Sequence, residues 1–117
     1  MDPSDAEIEG FLRRFQAAAA VTGINFWKTA KNDAFLTETG FTNRDIELLL
    51  GSLTAGDYSR GPDADDHLSR PPGEVWQFSC EFEGYDMYIK LKLTSTATAS
   101  AECLSAHEAQ WSMRRRG

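Results

Sequence analysis

Apolar residues recur with helical spacing in the first part of the chain. Ser4 and Glu7 are spaced as a capping box, in which each side chain satisfies a free backbone N–H group at a helix start. They predict an amphipathic helix from about Asp5 to Ala20, ended by Gly23. The apolar positions of this helix are Ile8, Phe11, Leu12, Phe15 and Ala19.

Two shorter helices are predicted next, and we expect both to cover one face of a sheet. Lys31 to Thr39 is closed by Gly40, while Thr42 and Asp45 begin a helix that carries Ile46, Leu49, Leu50 and Leu53. Ile24 to Trp27 is interpreted as a short extended segment. From Thr54 to Gly73 glycine, proline and acidic residues replace the periodic pattern, which predicts a long surface loop.

A period of two then predicts a β-hairpin. From Val75 to Phe82 the aromatic residues alternate with polar ones, and Glu83 with Gly84 is a plausible tight turn. A two-residue turn sets Gln77 opposite Lys90 and Ser79 opposite Tyr88 on the polar face. The inward residues are Trp76, Phe78, Cys80, Phe82, Met87, Ile89, Leu91 and Leu93, and the outward ones of the return strand are Tyr88, Lys90 and Lys92.

The order of elements predicts the fold class. A third strand, Ala101 to Ser105, follows a loop of small residues and leads to His107. Helices followed by hairpin-linked strands predict an α+β fold, with N-terminal helices packed on an antiparallel β-sheet meander. Residues 1–117 are expected to form one domain, with residues 1–4 and 112–117 as flexible tails.

Composition narrows the function classes. A net charge of −6 argues against broad non-specific nucleic-acid binding but leaves a local basic site open. Arg114 to Arg116 is interpreted either as a frayed tail or as an electrostatic hook for RNA. No apolar stretch is long enough to cross a membrane and no basic flank suggests a signal peptide, so a soluble, cytoplasmic protein without membrane association is expected.

Metal, cofactor and disulfide chemistry are not expected. Cys80 and Cys103 lie in apolar segments without a CxxC spacing, which indicates buried, reduced thiols. The segment after His107 lacks the second histidine of a zinc-protease helix, and the acidic string that begins at Asp63 lacks the pattern of a calcium loop. The sequence holds no phosphate-binding glycine loop and no dinucleotide fingerprint.

Four short motifs resemble the successive landmarks of MqsR-type toxins, which are bacterial type II toxin–antitoxin ribonucleases with a RelE-like fold. The similarity runs from about Ile8 to Glu108. The motifs are Asp57-Tyr-Ser-Arg-Gly-Pro62, Glu74-Val-Trp-Gln77, Met87-Tyr-Ile-Lys-Leu-Lys-Leu93 and Cys103-Leu-Ser-Ala-His107. The resemblance implies an mRNA endoribonuclease that inhibits growth and pairs with a cognate antitoxin protein.

The resemblance also implies particular site residues. Gln77 and Tyr88 match the family pattern, whereas Arg60 with Tyr58 stands one place later than the family's aromatic and basic pair, and His107 replaces a lysine. Tyr88, His107, Arg60 and Gln77 are therefore the candidate catalytic residues. Tyr58, Lys90 and Lys92 are the candidate RNA-binding residues.

These residue types suit metal-independent RNA cleavage. When the 2′-hydroxyl attacks the adjacent phosphorus, a protein needs only to orient the strand, move two protons and stabilise the charged phosphorane. Tyr88 or His107 is a candidate acceptor of the 2′-hydroxyl proton, and His107 a candidate donor to the leaving 5′-oxygen. Tyrosine ionises near pH 10, so we expect Lys90 to lower the pKa of Tyr88.

Two other functions are compatible with the same residues. The polar face of the hairpin, or an edge of the sheet, is alternatively a protein-binding surface of a non-catalytic module, which the net charge of −6 favours. A toxin of this fold that acts on DNA gyrase is a third possibility. The outward residues are also compatible with an ordinary solvated strand face.

Overall fold

A computed structural model describes residues 2–65 and 69–110, and it confirms the α+β class. The predicted tail at 112–117, which includes Arg114 to Arg116, lies outside the described residues. The helices are α1 (Asp5–Thr22), α2 (Ala30–Thr39) and α3 (Asn43–Gly51), with a short 3₁₀ turn at Ala55–Asp57. The strands are β1 (Ile24–Phe26), β2 (Tyr58–Asp65), β3 (Gly73–Phe82), β4 (Tyr85–Thr94) and β5 (Ala101–Glu108).

The five strands form one sheet in the order β1-β5-β4-β3-β2. Strands β2 to β5 are an antiparallel meander, as predicted, and the register that pairs Gln77 with Lys90 and Ser79 with Tyr88 is confirmed. Strand β1 was expected only as an extended segment, but it pairs with β5 in parallel. The helices between β1 and the meander therefore allow the chain to return to the far edge of the sheet.

The predicted surface loop from Thr54 to Gly73 is wrong over its first half, because this segment contains strand β2. The pairing of β2 with β3 is interrupted on both sides of Arg60. At one interruption Gly61 has a φ of 114°, and a Cβ atom there would lie 2.7 Å from the carbonyl oxygen of Val75. Glycine is thus required for the close approach of the two backbones. Gly61 and Pro62 are of residue types that usually indicate turns, but in this segment they lie in a kinked edge strand.

One core lies between the helices and the inner face of the sheet. Phe11 of α1 stacks on Trp76 with ring centroids 4.8 Å apart, and Trp76 is 3% exposed, which confirms its predicted core position. Phe35 of α2 packs edge to face on Tyr85, so the second helix covers the same face. The capping box at Ser4 begins α1 and the left-handed Gly40 ends α2, both as predicted.

A β-bulge in β5 changes which side chains face outward. Ser105 pairs with Lys90 and Cys103 pairs with Leu91, so Leu104 is an extra residue between them. Strict alternation would put Cys103, Ser105 and His107 on one face. The bulge shifts the phase, and Cys103 points into the core whereas His107 lies opposite Tyr88 on the outer face.

The side chain of Asn32 holds this bulge. Its Nδ2 donates to the carbonyl oxygens of Leu104 (3.0 Å) and Trp27 (2.9 Å), and its Oδ1 accepts from the backbone N–H of Ala106 (3.0 Å). Asn32 is buried, and it satisfies backbone groups that the irregular strand leaves without ladder partners. The first turn of α2 is thereby fixed to the outer end of β5.

We expect Asn32→Ala to lower the free energy of unfolding by about 2–4 kcal/mol, because it leaves buried backbone groups unpaired. Asn25→Ala is the matched control, since Asn25 is an exposed asparagine on β1 and should change stability by less than about 0.5 kcal/mol. Urea unfolding of both variants gives the comparison. Equal urea midpoints for the two variants would show that the bulge is stable without the hydrogen bonds of Asn32.

The buried thiols give a second prediction. Burial raises the pKa of Cys103 to about 12 from its ordinary 9.0, so roughly one thiol in ten thousand is ionised at pH 8. In a Cys80→Ala background we expect native Cys103 to react with a thiol reagent far more slowly than in denaturant. Because only the unfolded thiol ionises between pH 9 and about 12, its contribution to stability falls as pH rises through this range. Rapid labelling of the native protein at pH 8 would contradict the burial.

Candidate active site

A row of polar side chains crosses the outer face of the sheet. Arg60 pairs with Gln77, Gln77 with Lys90, and Lys90 with Ser105, so four neighbouring strands each contribute one residue. Neighbouring strands are about 4.8 Å apart, which gives the row a length of about 14 Å. Three of the predicted site residues are thus brought together by register alone.

A second row brings Tyr88 and His107 together. Tyr88 pairs with Ser79 on one side and with His107 on the other, and the rings of Tyr88 and His107 are 5.4 Å apart between centroids. Both side chains are half-buried. They lie two residues along their strands from Lys90 and Ser105, on the same face.

Tyr88 and His107, together with Arg60, Gln77 and Ser105 of the first row, line an open cavity of about 620 Å³. Lys90 and Ser79 belong to the rows but are not among the residues that line it. Residues of the first turn of α2 and of the segment after β5 complete its walls. Lys31 and Arg60 are its permanently charged residues, and no carboxylate is among the described residues that line it. The full lining is Thr29, Ala30, Lys31, Arg60, Gln77, Tyr88, Ser105, His107, Ala109 and Gln110.

Tyr88 is held as a neutral phenol. Burial raises its pKa above the ordinary value of 10.0, and the positive charge of Arg60 offsets part of this shift. The expectation that Lys90 lowers the pKa of Tyr88 is therefore wrong, because the opposing charge belongs to Arg60 and desolvation outweighs it. In the described part of the chain its hydroxyl has no hydrogen-bond partner, so it is available to a ligand.

One hydrogen bond orients the imidazole of His107. Its Nδ1 lies 3.0 Å from the backbone carbonyl oxygen of Glu108. A carbonyl oxygen only accepts, so this hydrogen bond requires the proton on Nδ1 and leaves Nε2 as the acceptor of the neutral ring. A ring fixed in this tautomer is suited to accept a proton.

Arg60 is an exposed cation on the kinked strand β2. Its Nε is 3.4 Å from the Asp63 carboxylate, and the two side chains are 71% and 49% exposed. Ion pairs this exposed are weak, so a phosphate can compete with Asp63 for the guanidinium. Lys90 and Lys31 make no ion pair with any described residue.

Of the three predicted RNA-binding residues, Lys90 lies in the first row beside the cavity, whereas Lys92 and Tyr58 are buried. Lys92 was expected to point outward into solvent, but it is fully buried, and its Nζ donates to Asp65 Oδ2 and to the Pro71 carbonyl oxygen, both at 2.7 Å. A buried ammonium group requires such partners, and they come from β2 and the connection after it. Tyr58 is 3% exposed and packs edge to face on Trp76, with its hydroxyl donating to the Gly61 carbonyl oxygen. Both residues shape β2 and are inaccessible to RNA in this structure.

Two residues of the cavity were missed by the sequence analysis. Ser105 was placed at the end of a strand, and only the bulge at Leu104 fixes it opposite Lys90. Lys31 lies in the first turn of α2, where a helix carries partial positive charge, and its position depends on the docking of α2 against β5. No local pattern marks either residue, because both depend on contacts between segments about 70 residues apart.

Comparisons of this chain with protein families, with curated proteins and with solved structures gave no significant match. Residues 2–65 and 69–110 contain no cluster of three histidine, cysteine, aspartate or glutamate side chains arranged to hold a metal ion. None of the helices in the described part of the chain is long and apolar enough to cross a membrane.

The protonation of Tyr88 is open to direct measurement. Arg60→Gln removes the positive charge that favours the phenolate, so we expect the pKa of Tyr88 to rise further. The difference in tyrosinate absorbance between each protein and its Tyr88→Phe counterpart reports this group alone. Arg44→Gln is the matched control, because Arg44 also forms an exposed pair with an acidic residue three positions later but lies on α3. A Tyr88 titration unchanged by Arg60→Gln would show that the two groups do not interact.

Proposed function

We propose that this protein is a metal-independent endoribonuclease that cleaves mRNA and acts as the toxin of a type II toxin–antitoxin pair. The observation that carries the proposal is the pairing of Tyr88 with His107 in a cavity whose permanent charges are both positive. This cavity belongs to a chain with a net charge of −6, so the local cations mark a site for an anionic ligand. The motif resemblance to MqsR-type toxins, with their RelE-like fold, is a second support, and it involves the same two residues.

Arg60 and Lys90 are proposed to hold the phosphate that reacts. They belong to the same row of paired residues, and Gln77 between them is suited to orient a phosphate oxygen through its amide. Guanidinium and ammonium groups stabilise the charge that develops on the phosphorane, and the first turn of α2 adds partial positive charge. The chain itself supplies these positive groups.

His107 is proposed to be the general base and Tyr88 the general acid. Nε2 of His107 takes the proton of the 2′-hydroxyl, whose oxygen attacks the adjacent phosphorus. The bond from phosphorus to the 5′-oxygen breaks, and the neutral Tyr88 phenol gives its proton to that oxygen. The products are a 2′,3′-cyclic phosphate and a 5′-hydroxyl, and proton return from the imidazolium to the phenolate restores the site. The raised pKa of Tyr88 supports the acid role over the base role.

A growth-inhibiting ribonuclease requires a cognate antitoxin protein, and its RNA substrate places it in the cytoplasm. Cleavage of free mRNA and cleavage of mRNA on the ribosome are both compatible with an open cavity. Expression in a bacterial host with and without the neighbouring reading frame tests the toxin and antitoxin roles.

The cleavage chemistry is tested with purified protein and single-stranded RNA in EDTA. We expect cleavage that leaves 2′,3′-cyclic phosphate and 5′-hydroxyl ends, since acid, base and cation all belong to the chain. Tyr88→Phe and His107→Gln should each lower the rate by about 10²- to 10⁴-fold while changing stability by less than about 0.5 kcal/mol. A strict requirement for magnesium, or 5′-phosphate ends, would falsify this mechanism.

Two control variants separate chemistry from folding. Tyr85→Phe removes a hydroxyl from the same strand outside the cavity and should leave the rate unchanged. Phe78→Ala should cost about 3–5 kcal/mol of stability through a core cavity, yet keep normal activity in the folded fraction. Normal cleavage and growth inhibition by both Tyr88→Phe and His107→Gln would remove the case for an active site.

A non-catalytic interaction module is the second candidate, and the net charge of −6 is the observation that favours it. In that case the outer face of β3 and β4, or the open edge at β2, binds a protein partner. The same RNA assay distinguishes the candidates, because a folded protein that neither cleaves nor binds RNA supports the module.

A further inference from the structure

A second cavity of about 640 Å³ adjoins the first on the same face of the sheet. Thr29, Arg60, Gln77 and Ser105 line both, so the two cavities meet at the row that contains Arg60 and Gln77. The second cavity continues away from Tyr88 and His107 toward the ends of β1 and β2. A polymer strand that occupies the first cavity has a continuous path into the second.

Trp27 is fixed in the wall of this second cavity. Its backbone N–H donates to the Cys103 carbonyl oxygen (3.0 Å), and its own carbonyl oxygen accepts from Asn32 Nδ2 (2.9 Å). Its indole Nε1 donates to Glu102 Oε1 at 2.8 Å, which holds the ring in place. Because the side chain is only half-buried, part of an oriented aromatic surface is left in the cavity.

Arg70 adds a second planar group. Its guanidinium carbon lies 5.6 Å from the centroid of a Trp27 ring, and its Nη2 donates to Asp65 Oδ1 at 3.1 Å. Asp65 is held in turn by the buried Lys92. The Arg70 side chain is still 40% exposed, so an indole and a guanidinium both present surface to the cavity.

We propose that this second cavity is a nucleobase-binding subsite, in which the base next to the reacting phosphate stacks against Trp27 and Arg70. The proposal rests on the proposed function to the extent that the first cavity holds a phosphodiester. Single-stranded RNA is bound through bases stacked on aromatic rings or guanidinium planes, combined with cations along the backbone. Lys90 lies in this cavity and makes no ion pair with a described residue, so its ammonium group is available to the backbone phosphate.

The charge of the cavity fits this assignment. Asp63 and Asp65 also line it, but Asp63 is paired with Arg60, and Asp65 with Arg70 and Lys92. An anionic strand therefore meets an Asp65 carboxylate that is held by two cations, and Lys90, which has no acidic partner among the described residues. Stacking on an indole does not depend on the identity of the base, so the subsite is expected to increase affinity without strong sequence preference.

The test measures binding separately from cleavage. The probe is a fluorescein-labelled, mixed-sequence 2′-deoxy hexanucleotide, which has no attacking hydroxyl, and its partner is the same oligomer with abasic sites throughout. By anisotropy, in EDTA and low salt, we expect the wild-type protein to bind the oligomer with bases at least 10-fold more tightly. Trp27→Leu should weaken binding of that oligomer by about 10- to 100-fold and leave binding of the abasic oligomer unchanged.

Control variants distinguish stacking from charge and from folding. Trp27→Phe retains a ring and should keep most of the preference for bases, whereas Lys90→Ala should weaken both oligomers equally. If Trp27→Leu fails to fold, an NMR measurement on the wild-type protein replaces the binding assay of this variant. It follows the indole N–H resonance of Trp27, which is identified by its absence from the spectrum of Trp27→Phe. That resonance should shift on addition of the oligomer with bases and not on addition of the abasic one.

The subsite is contradicted if the wild-type protein binds both oligomers with equal affinity or binds neither. It is also contradicted if Trp27→Leu weakens the binding of both oligomers equally, or if the indole resonance does not shift when the oligomer with bases is added. A parallel assay on ordinary RNA separates this result from the proposed catalysis. Base-dependent binding without cleavage supports the subsite and contradicts the ribonuclease, whereas cleavage with no role for Trp27 does the reverse.

Discussion

The amide of Asn32 is the interaction on which the arrangement of the cavity depends. It connects the first turn of α2, the end of β1 and the bulge at Leu104 through three hydrogen bonds of 2.9–3.0 Å. Without the bulge, His107 would follow the alternation of Cys103 and point toward the core. The buried side chain of Asn32, which is 72 residues before Leu104 in the chain, thus places the imidazole of His107 beside Tyr88. It also brings Lys31 to the same cavity.

A second set of constraints sets the position of the edge strand β2. The buried Lys92 binds Asp65 at one end of β2, and Tyr58 packs on Trp76 at the other. Between them Gly61 allows the strand to approach the Val75 carbonyl oxygen closely. Arg60 is carried on this kinked strand, so its position opposite Gln77 follows from packing at both ends. Lys92, which resembles a ligand-binding residue in the sequence, has a structural role instead.

These constraints explain how an acidic protein presents a cationic cavity. Many of its carboxylates lie on the helices, whereas Asp63 and Asp65, the described carboxylates that line the second cavity, are paired with Arg60, Arg70 or Lys92. The local balance of charge on the outer face is therefore independent of the net charge of −6. Burial keeps Tyr88 protonated in the same region, so its phenol carries at neutral pH the proton that the proposed acid role requires.

Local signals in the sequence were enough to predict several elements of this fold. The capping box at Ser4, the left-handed Gly40 and the alternation along β3 and β4 are all properties of a few neighbouring residues, and a two-residue turn was enough to set Gln77 opposite Lys90. The bulge at Leu104, the burial of Lys92 and the formation of strand β2 around Gly61 follow instead from contacts in the folded chain. Each of these depends on a partner distant in sequence, such as Asn32, 72 residues before Leu104, and no periodicity in the chain encodes a contact of that kind.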